Sequence, residues 1–487
     1  MAGIGFKLRR LTEEESVKGM IVGYGSAALV CAGPWLLTIM ALLEIHVLQI
    51  LTVRGRVDES ANLFFNSVVT YSFAFSLVLT GGLQNMVTRY LSDRLYQDSD
   101  AYHLPAFIST MAVLNPVALA VSWLLFGSLP VDVLTRVVSM TLFVILCDTW
   151  IVMIFLGAVR AYWQIVWAYA QGCVLTAVLG LLLAHRHQTG LLAAFTLGQG
   201  AVFFSMLRLL AREFRLDERP WDFGFLAYAR RYPYLMLTGT TFYLAVWWGV
   251  FYYWFTPHAV ISFGLRSYPL HDISYFWGLL ATIPAMTLFF VRIETEFYDA
   301  YRAFYGGITE GRVRYVDLAQ RKAEMREVLR RGGADLIQLQ GVVTLSVFFF
   351  IPHIVSIFSL PGLWIAALRV GLLGAFALCL CQFTIMILYY YELYREAFVT
   401  CLILLVGNAL TDMFTYSWSP ELHGCGLLYG SGLGLAYAVH QLFLRLHNLE
   451  YYTFMFQPMP GTIVCTNAEE AFGKTVRRDG KWVVPVA

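Results

Sequence analysis

The sequence predicts an all-α membrane protein of about twelve transmembrane helices, on three observations. Of its 487 residues, 59% are apolar or aromatic and only 14% are charged, where a soluble domain carries charge on about a quarter. Apolar runs of roughly 20 residues, the length a helix needs to cross a bilayer, recur from end to end. With the N-terminus placed in the cytoplasm, the basic residues gather on the inner side of those runs.

The runs fall at about 19–47, 62–86, 104–128, 134–158, 161–185, 190–210, 235–256, 273–294, 335–358, 363–390, 397–418 and 424–446. "MAGIGFKLRRLTEEESVK" is too long and too acidic for the charged segment of a signal peptide, and the first run exceeds a typical signal core. It is therefore expected to stay as an uncleaved first span. Spans 3 and 4 are separated only by "LPVDV" and spans 4 and 5 by "GAVRAY", so these neighbours are antiparallel. Most of the 34 Lys and Arg lie in the N-terminal tail, the 211–234 link, the 295–334 segment and the tail after 446. The outer side holds Arg54, Arg56, Arg136, Arg186 and Arg266. One missed span would scatter this asymmetry.

The layout divides into spans 1–6 (1–210) and spans 7–12 (235–446), joined by a basic linker at 211–234 and followed by a cytoplasmic tail at 447–487. Both halves enter from the same side, as in transporters built from parallel repeats. The eight cysteines show no CxxC pair or disulfide spacing and read as small packing residues.

Ionisable groups inside spans are functional candidates by default. Asp148, Arg369 and Asp412 are either polar walls of a central path or structural ion pairs, for example Arg369 with Asp412. Glu44, His46 and His440 are further ionisable groups in spans, and Glu44 and His46 lie near the outer surface. Span 7, "LMLTGTTFYLAVWWGVFYYWF", is unusually aromatic. Tyr243, Trp247 and Trp248 suit either stacking on sugar rings or plain packing. Tyr252 to Phe255 read as the interfacial aromatic belt.

Span 8 leaves the bilayer inward through "FFVRIETEFYDAYRAFY". Phe290, Ile293, Phe297, Tyr301 and Phe304 repeat at helical spacing, while Arg292, Glu296 and Asp299 share another face. The helix becomes amphipathic instead of ending. With Glu294 and Arg302, these charges suit an inner mouth, a partner-docking arm or a merely solvated helix end. "VDLAQRKAEMREVLRRGG" is a second charged segment, with Leu318, Met325 and Leu329 on one side.

Other motifs are weak. Asp98 and Asp100 ("DSD") and His185 to His187 ("HRH") read as polar loops. "GGLQNM" and "GSGLGL" read as close helix packing. No Walker A, nucleophile elbow or HExxH motif occurs. No cofactor or metal is expected.

Four segments together resemble the PelG family of exopolysaccharide exporters: "MAGIGFKLRRL", "SAALVCAGPWLLT", "TIPAMTLFFVRIETEFYDAYRAFYGGI" and "LEYYTFMFQP". The resemblance implies the multidrug/oligosaccharidyl-lipid/polysaccharide flippase superfamily, with two six-helix lobes around a central cavity and both termini cytoplasmic. It implies movement of an N-acetylgalactosamine- and galactosamine-rich polymer, Pel, across the bacterial inner membrane for the biofilm matrix. It also implies three partners: a cytosolic glycosyltransferase (PelF), a membrane-anchored cyclic-di-GMP receptor (PelD) and PelE. No catalytic motif carries over. Lipid-linked oligosaccharide flippases tend to hold several basic residues for a pyrophosphate. Here only Arg369 lies clearly within a span, with Arg292 at the inner mouth.

Four other readings stay open, the first a lipid-linked oligosaccharide flippase of the same superfamily. The second is a cation-coupled small-molecule exporter using Asp148 or Asp412. Another is a membrane-embedded transferase resting on Asp98 and Asp100. The last is a scaffold for the complex. The topology has a direct check. A fluorescent reporter inserted in the 295–334 segment should light up, and an enzyme reporter that needs the periplasm should stay silent there; the opposite result would invert every span.

Overall fold

The computed structural model describes residues 17–52, 59–96, 103–159, 161–183, 187–214, 220–309, 314–455, 476–478 and 481–483. The first half contains α1 (Val17–Thr52), α2 (Glu59–Tyr96), α3 (His103–Phe126), α4 (Val133–Ala158), α5 (Tyr162–Leu183) and α6 (His187–Glu213). A short α7 (Phe225–Arg231) leads to α8 (Pro233–Trp254). Strands β1 (Val260–Ser262) and β2 (Leu265–Ser267) form an antiparallel hairpin, with Ser262 opposite Leu265. Then come α9 (Pro269–Leu280), α10 (Ile283–Arg292), a π-helical turn at Ile293–Phe297 and α11 (Tyr298–Thr309). The rest are α12 (Tyr315–Ile357), α13 (Leu363–Tyr390), α14 (Tyr394–Tyr416), α15 (Cys425–His447) and α16 (Leu449–Met455).

Among the described residues eleven helices are long and apolar enough to cross a membrane, and α1 adds a shorter apolar stretch at Ala32–Val47. That agrees with about twelve spans. Two spans differ from their sequence outlines. Span 8 is broken: α9 stops at Leu280 and α10 restarts with a proline in its first turn. Proline lacks the amide that would continue the ladder, so a helix breaks before it. Two side chains serve the carbonyls freed at the break. The Thr282 hydroxyl donates to Leu279 O at 2.7 Å, and the buried Gln340 of α12 donates to Ala281 O at 3.0 Å. Span 9 and the charged segment before it, expected as separate pieces, form one 43-residue helix, α12. At the helical rise this is about 65 Å, roughly twice a hydrocarbon core.

Packing follows the two halves. In the first, α5 packs on α6 and α1, α4 on α6, α2 and α3. In the second, α8 packs on α14, α9 on α13, and α12 on α13, α10 and α11. The most extensive helix contacts between them are α2 against α8 and α1 against α10.

The α2–α8 seam is a backbone contact. A Cβ at Gly81 would lie 2.8 Å from Gly239 O, and one at Gly82 would lie 2.8 Å from Met236 O. Only glycine lets two helices approach so closely. Toward the hairpin, Phe75 stacks on Phe251 at 4.8 Å and Tyr71 on Trp254 at 4.0 Å between centroids. The Tyr71 hydroxyl donates to Arg266 O of the hairpin at 3.1 Å. The segment Val439–Ala487 forms a separate compact unit; within it the Arg445 guanidinium lies 4.1 Å from the Tyr452 ring centroid.

The seam yields a stability prediction. Gly239→Ala drives a methyl into the Gly81 peptide, and overpacking of this kind costs about 1–3 kcal/mol. Thermal unfolding in detergent should show a midpoint lowered by several degrees. Gly157→Ala, where a Cβ meets nothing within 4 Å, should leave it nearly unchanged.

Candidate functional site

Three groups of side chains stand out: the aromatic face of α8, a buried polar cluster in the second half and the charged exit of span 8. On α8, Tyr243 lies against Gly81 at the seam and Trp247 lies 6.1 Å from Tyr275 of α9. Trp248 stacks near Tyr252 at 6.5 Å, and its buried Nε1 has no hydrogen-bond partner. An unpaired indole N–H in a bundle is a donor held ready for a polar group. Phe255 is 74% exposed, whereas Tyr253 and Trp254 are buried and do not face outward as a belt would require. Trp254 stacks on Tyr71 and donates from Nε1 to Asp272 Oδ2 at 3.0 Å.

Asp412 of α14 is fully buried. Its Oδ1 accepts from the Tyr253 hydroxyl at 3.2 Å and from Gly426 N at 3.0 Å. The same hydroxyl accepts from Gly424 N at 2.9 Å. Oδ2 has no hydrogen-bond partner. It faces the gap left by Gly249, where a Cβ would lie 3.4 Å from Oδ2 and 3.1 Å from His271 Nε2. Beside this gap His423 Nδ1 pairs with the Tyr268 hydroxyl at 3.2 Å. Asp272 accepts from Tyr268 N at 3.1 Å and sits 3.6 Å from His271 Nδ1. A cavity of about 10 Å³, lined in part by His271, Ser274, Tyr275 and His423, adjoins them. That is about one water's volume. A buried carboxylate with one free oxygen beside two imidazoles can hold or pass a proton. Among the described residues no group of three or more His, Cys, Asp or Glu is placed to hold a metal ion.

The other span charges do not converge on this cluster. Asp148 of α4 is buried in the first half, with Oδ1 lacking a hydrogen-bond partner. The Arg369 guanidinium of α13 lies 4.4 Å from the Phe348 ring centroid of α12, so it makes a cation–π contact there and not an ion pair with Asp412.

At the exit of span 8 the helix continues through the π-helical turn into α11, as the sequence pattern required. Ile293, Phe297 and Phe304 are buried, Tyr301 is half-buried, and Glu296, Asp299 and Arg302 are exposed. Arg292 pairs with Glu296 one turn on and with Asp335 of α12 at 2.8 Å. The Glu294 side chain, Asp98, Asp100, His185 and the His187 side chain lie outside the described residues. Arg321 of α12 donates to Ala303 O at 2.6 Å, tying α11 to α12. Burial pushes the Tyr301 hydroxyl above its ordinary range.

The sequence pattern placed Tyr253 in the aromatic belt and did not single out His271, His423 or Asp335. Each is one polar residue in an apolar or charged stretch, and only the fold brings it to its partner.

The helix order and pairing define a membrane transporter fold. An outward-facing multidrug resistance MATE family transporter of the MOP superfamily is similar, with a TM-score of 0.63 at 14% identity over 87% of this chain and 96% of that one. A MATE protein in a bent conformation is similar with 0.63 at 14% identity, over 93% and 100%. A MOP superfamily transporter from Pyrococcus furiosus, whose binding pocket is described as having reverse polarity, gives 0.56 at 14% identity, over 87% and 96%. No curated protein matches the sequence. Residues 1–454 match the family model described as "PelG: Putative exopolysaccharide Exporter (EPS-E)". The chain belongs to that family.

The Asp412 cluster is testable by substitution. Asp412→Ala leaves the Tyr253 hydroxyl and Gly426 N–H without their acceptor, at about 1–3 kcal/mol for each buried group left unsatisfied. Asp412→Asn keeps an acceptor oxygen. The alanine variant should unfold several degrees below the parent in detergent, and the asparagine variant should recover most of that loss.

Proposed function

We propose that this chain moves an N-acetylgalactosamine- and galactosamine-rich polysaccharide of the Pel type from cytoplasm to periplasm across the bacterial inner membrane, with both termini in the cytoplasm. The polymer comes from a cytosolic glycosyltransferase resembling PelF, in a complex with PelD-like and PelE-like membrane proteins. The observation that carries this reading is the family match over residues 1–454 on a transporter fold.

Several features of the chain fit it. Tyr243, Trp247 and Trp248 offer flat apolar faces with polar edges, as sugar rings require. With Asp148, Arg369 and Asp412 they are our candidates for walls of the path. Successive weak contacts let a polymer slide without a deep trap. Arg292, Glu294, Glu296, Asp299 and Arg302 form the inner mouth or the docking face for the synthase. Chain extension by that synthase supplies the push.

A second reading, cation-coupled export of small molecules, draws support from the unpaired Asp412 oxygen beside His271.

The test is polymer release from cells that keep the synthase and its partners but lack this chain. Release of the galactosamine-containing polymer should stop while cytosolic synthesis continues, and reintroducing the chain should restore it. Unchanged release without the chain would refute the proposal. Flux in proteoliposomes that follows a proton or sodium gradient, with no partner present, would select the second reading.

A further inference from the structure

The inner end of the α2–α8 seam carries a charge cluster that neither the proposed path nor the proposed mouth uses. Arg89 of α2 places Nη1 2.7 Å from Glu392 Oε1 and donates from it to the Tyr394 hydroxyl at 3.2 Å. Its Nε lies 3.3 Å from Asp93 Oδ1. Asp93 also accepts from the Tyr228 hydroxyl at 2.8 Å. The guanidinium sits 5.3 Å from the Tyr232 ring centroid. One turn toward the membrane centre, Asn85 Nδ2 donates to Leu235 O and to the Tyr389 hydroxyl, each at 3.1 Å. Two side chains of the first half thus grip the start of α8, the end of α13 and the start of α14.

Glu392 itself is unusual. Its φ is +54°, in the left-handed region that non-glycine residues seldom occupy and that carries an energetic cost. The turn accepts that cost, and its carboxylate ends on Arg89. The pair is also half open to water, with side-chain exposures of 26% and 55%. Pairs of this kind are weak, so this one can release where a fully buried pair would lock the halves together.

The same turn carries the arm. The Phe297 ring lies 5.1 Å from Tyr390 and 6.3 Å from Tyr391. The Tyr301 ring lies 5.8 Å and 6.2 Å from the same two. The Tyr391 hydroxyl reaches Met325 Sδ of α12 at 3.4 Å. Tyr301 is close enough to feel the charges of both Glu392 and Arg89. An unbroken set of contacts therefore runs from the arm to the turn at Tyr391–Glu392 and on to α2.

We propose that Arg89 and Glu392 form an inner latch between the two halves, held shut by the arm through Tyr301 and Tyr391. Displacing α11 frees the turn, Glu392 leaves Arg89, and the inner end of the α2–α8 seam opens. A contact element with two arrangements, biased from one side, is what a switch requires. The inference does not depend on which substrate the chain carries.

The experiment uses the full-length chain in inside-out membrane vesicles, with no substrate. Thr240→Cys places a thiol on the seam, since the Thr240 hydroxyl abuts Gly82. Labelling by a membrane-impermeant maleimide is measured above the background of the chain without that cysteine. Glu392→Gln and Tyr301→Ala should each raise the labelling rate about threefold or more, a shift in the open population of the same size. Arg89→Glu alone should do the same, and Arg89→Glu with Glu392→Arg, built together with Asp93→Asn so that the new carboxylate meets no like charge, should return to the parent rate. Parental labelling in Glu392→Gln would overturn the latch, as would failure of the reciprocal exchange to restore closure. Opening in Glu392→Gln without opening in Tyr301→Ala would overturn the coupling to the arm. Cys147, fully buried in α4, reports unfolding: where a single variant also exposes Cys147, the reciprocal exchange decides.

Discussion

Two helices meet peptide to peptide along the line where Gly81 and Gly82 face Met236 and Gly239. With no Cβ on the glycines to hold them apart, α2 and α8 come close enough for the other contacts on that seam to form. Outward of the glycines, Tyr71, Phe75, Phe251 and Trp254 stack in pairs. Inward, Asn85 and Arg89 reach across to polar groups of the second half. A few ångströms of added separation would lose the stacking and the hydrogen bonds together, because both fall off steeply with distance. The glycine contact thus sets the spacing of the two halves, and the polar and aromatic contacts set their angle.

Polar groups inside the bundle follow one rule, that a buried donor or acceptor needs a partner. Most comply through the backbone. Tyr275 donates to Val246 O at 2.8 Å, and Asn408 to Ala245 O at 3.0 Å. The exceptions are informative because lipid offers no water to repair them. The second oxygen of Asp412, Oδ1 of Asp148 and the indole nitrogen of Trp248 are all buried without a hydrogen-bond partner. Such groups are candidates for contact with a polar cargo or a proton.

Much of the architecture was legible in the sequence because hydropathy and charge are summed over many residues. The spans and the amphipathic continuation of span 8 rest on patterns that run over many residues, and the structure retains them. What the sequence concealed depended on single residues meeting across the fold. Arg89 and Glu392 are about three hundred positions apart, and each reads as an ordinary loop-end charge. Asp412 was noticeable as a carboxylate in a span, but its partners Tyr253, Gly424 and Gly426 come from α8 and the turn before α15. The break in span 8 was signalled by Pro284 and was masked by the apolar run that continues through it. The continuity of α12 was hidden for the opposite reason. A change from charged to apolar composition looks like a boundary, yet no residue there stops a helix; even Gly332 and Gly333 lie within it.

The amide of Gln340 seals the open rung of span 8 by bonding to Ala281 O. That single bond makes the break and the long rod of α12 neighbours in motion as well as in space. Tyr315 stands 25 residues before Gln340, about 38 Å along a rigid helix. A tilt of about 10° around that point would sweep the Tyr315 end of the helix through roughly 6–7 Å at this lever length. On a rod of that length a small change of angle at the broken rung would be magnified at its far end, and a displacement of that end would be reduced to a fine adjustment at the rung.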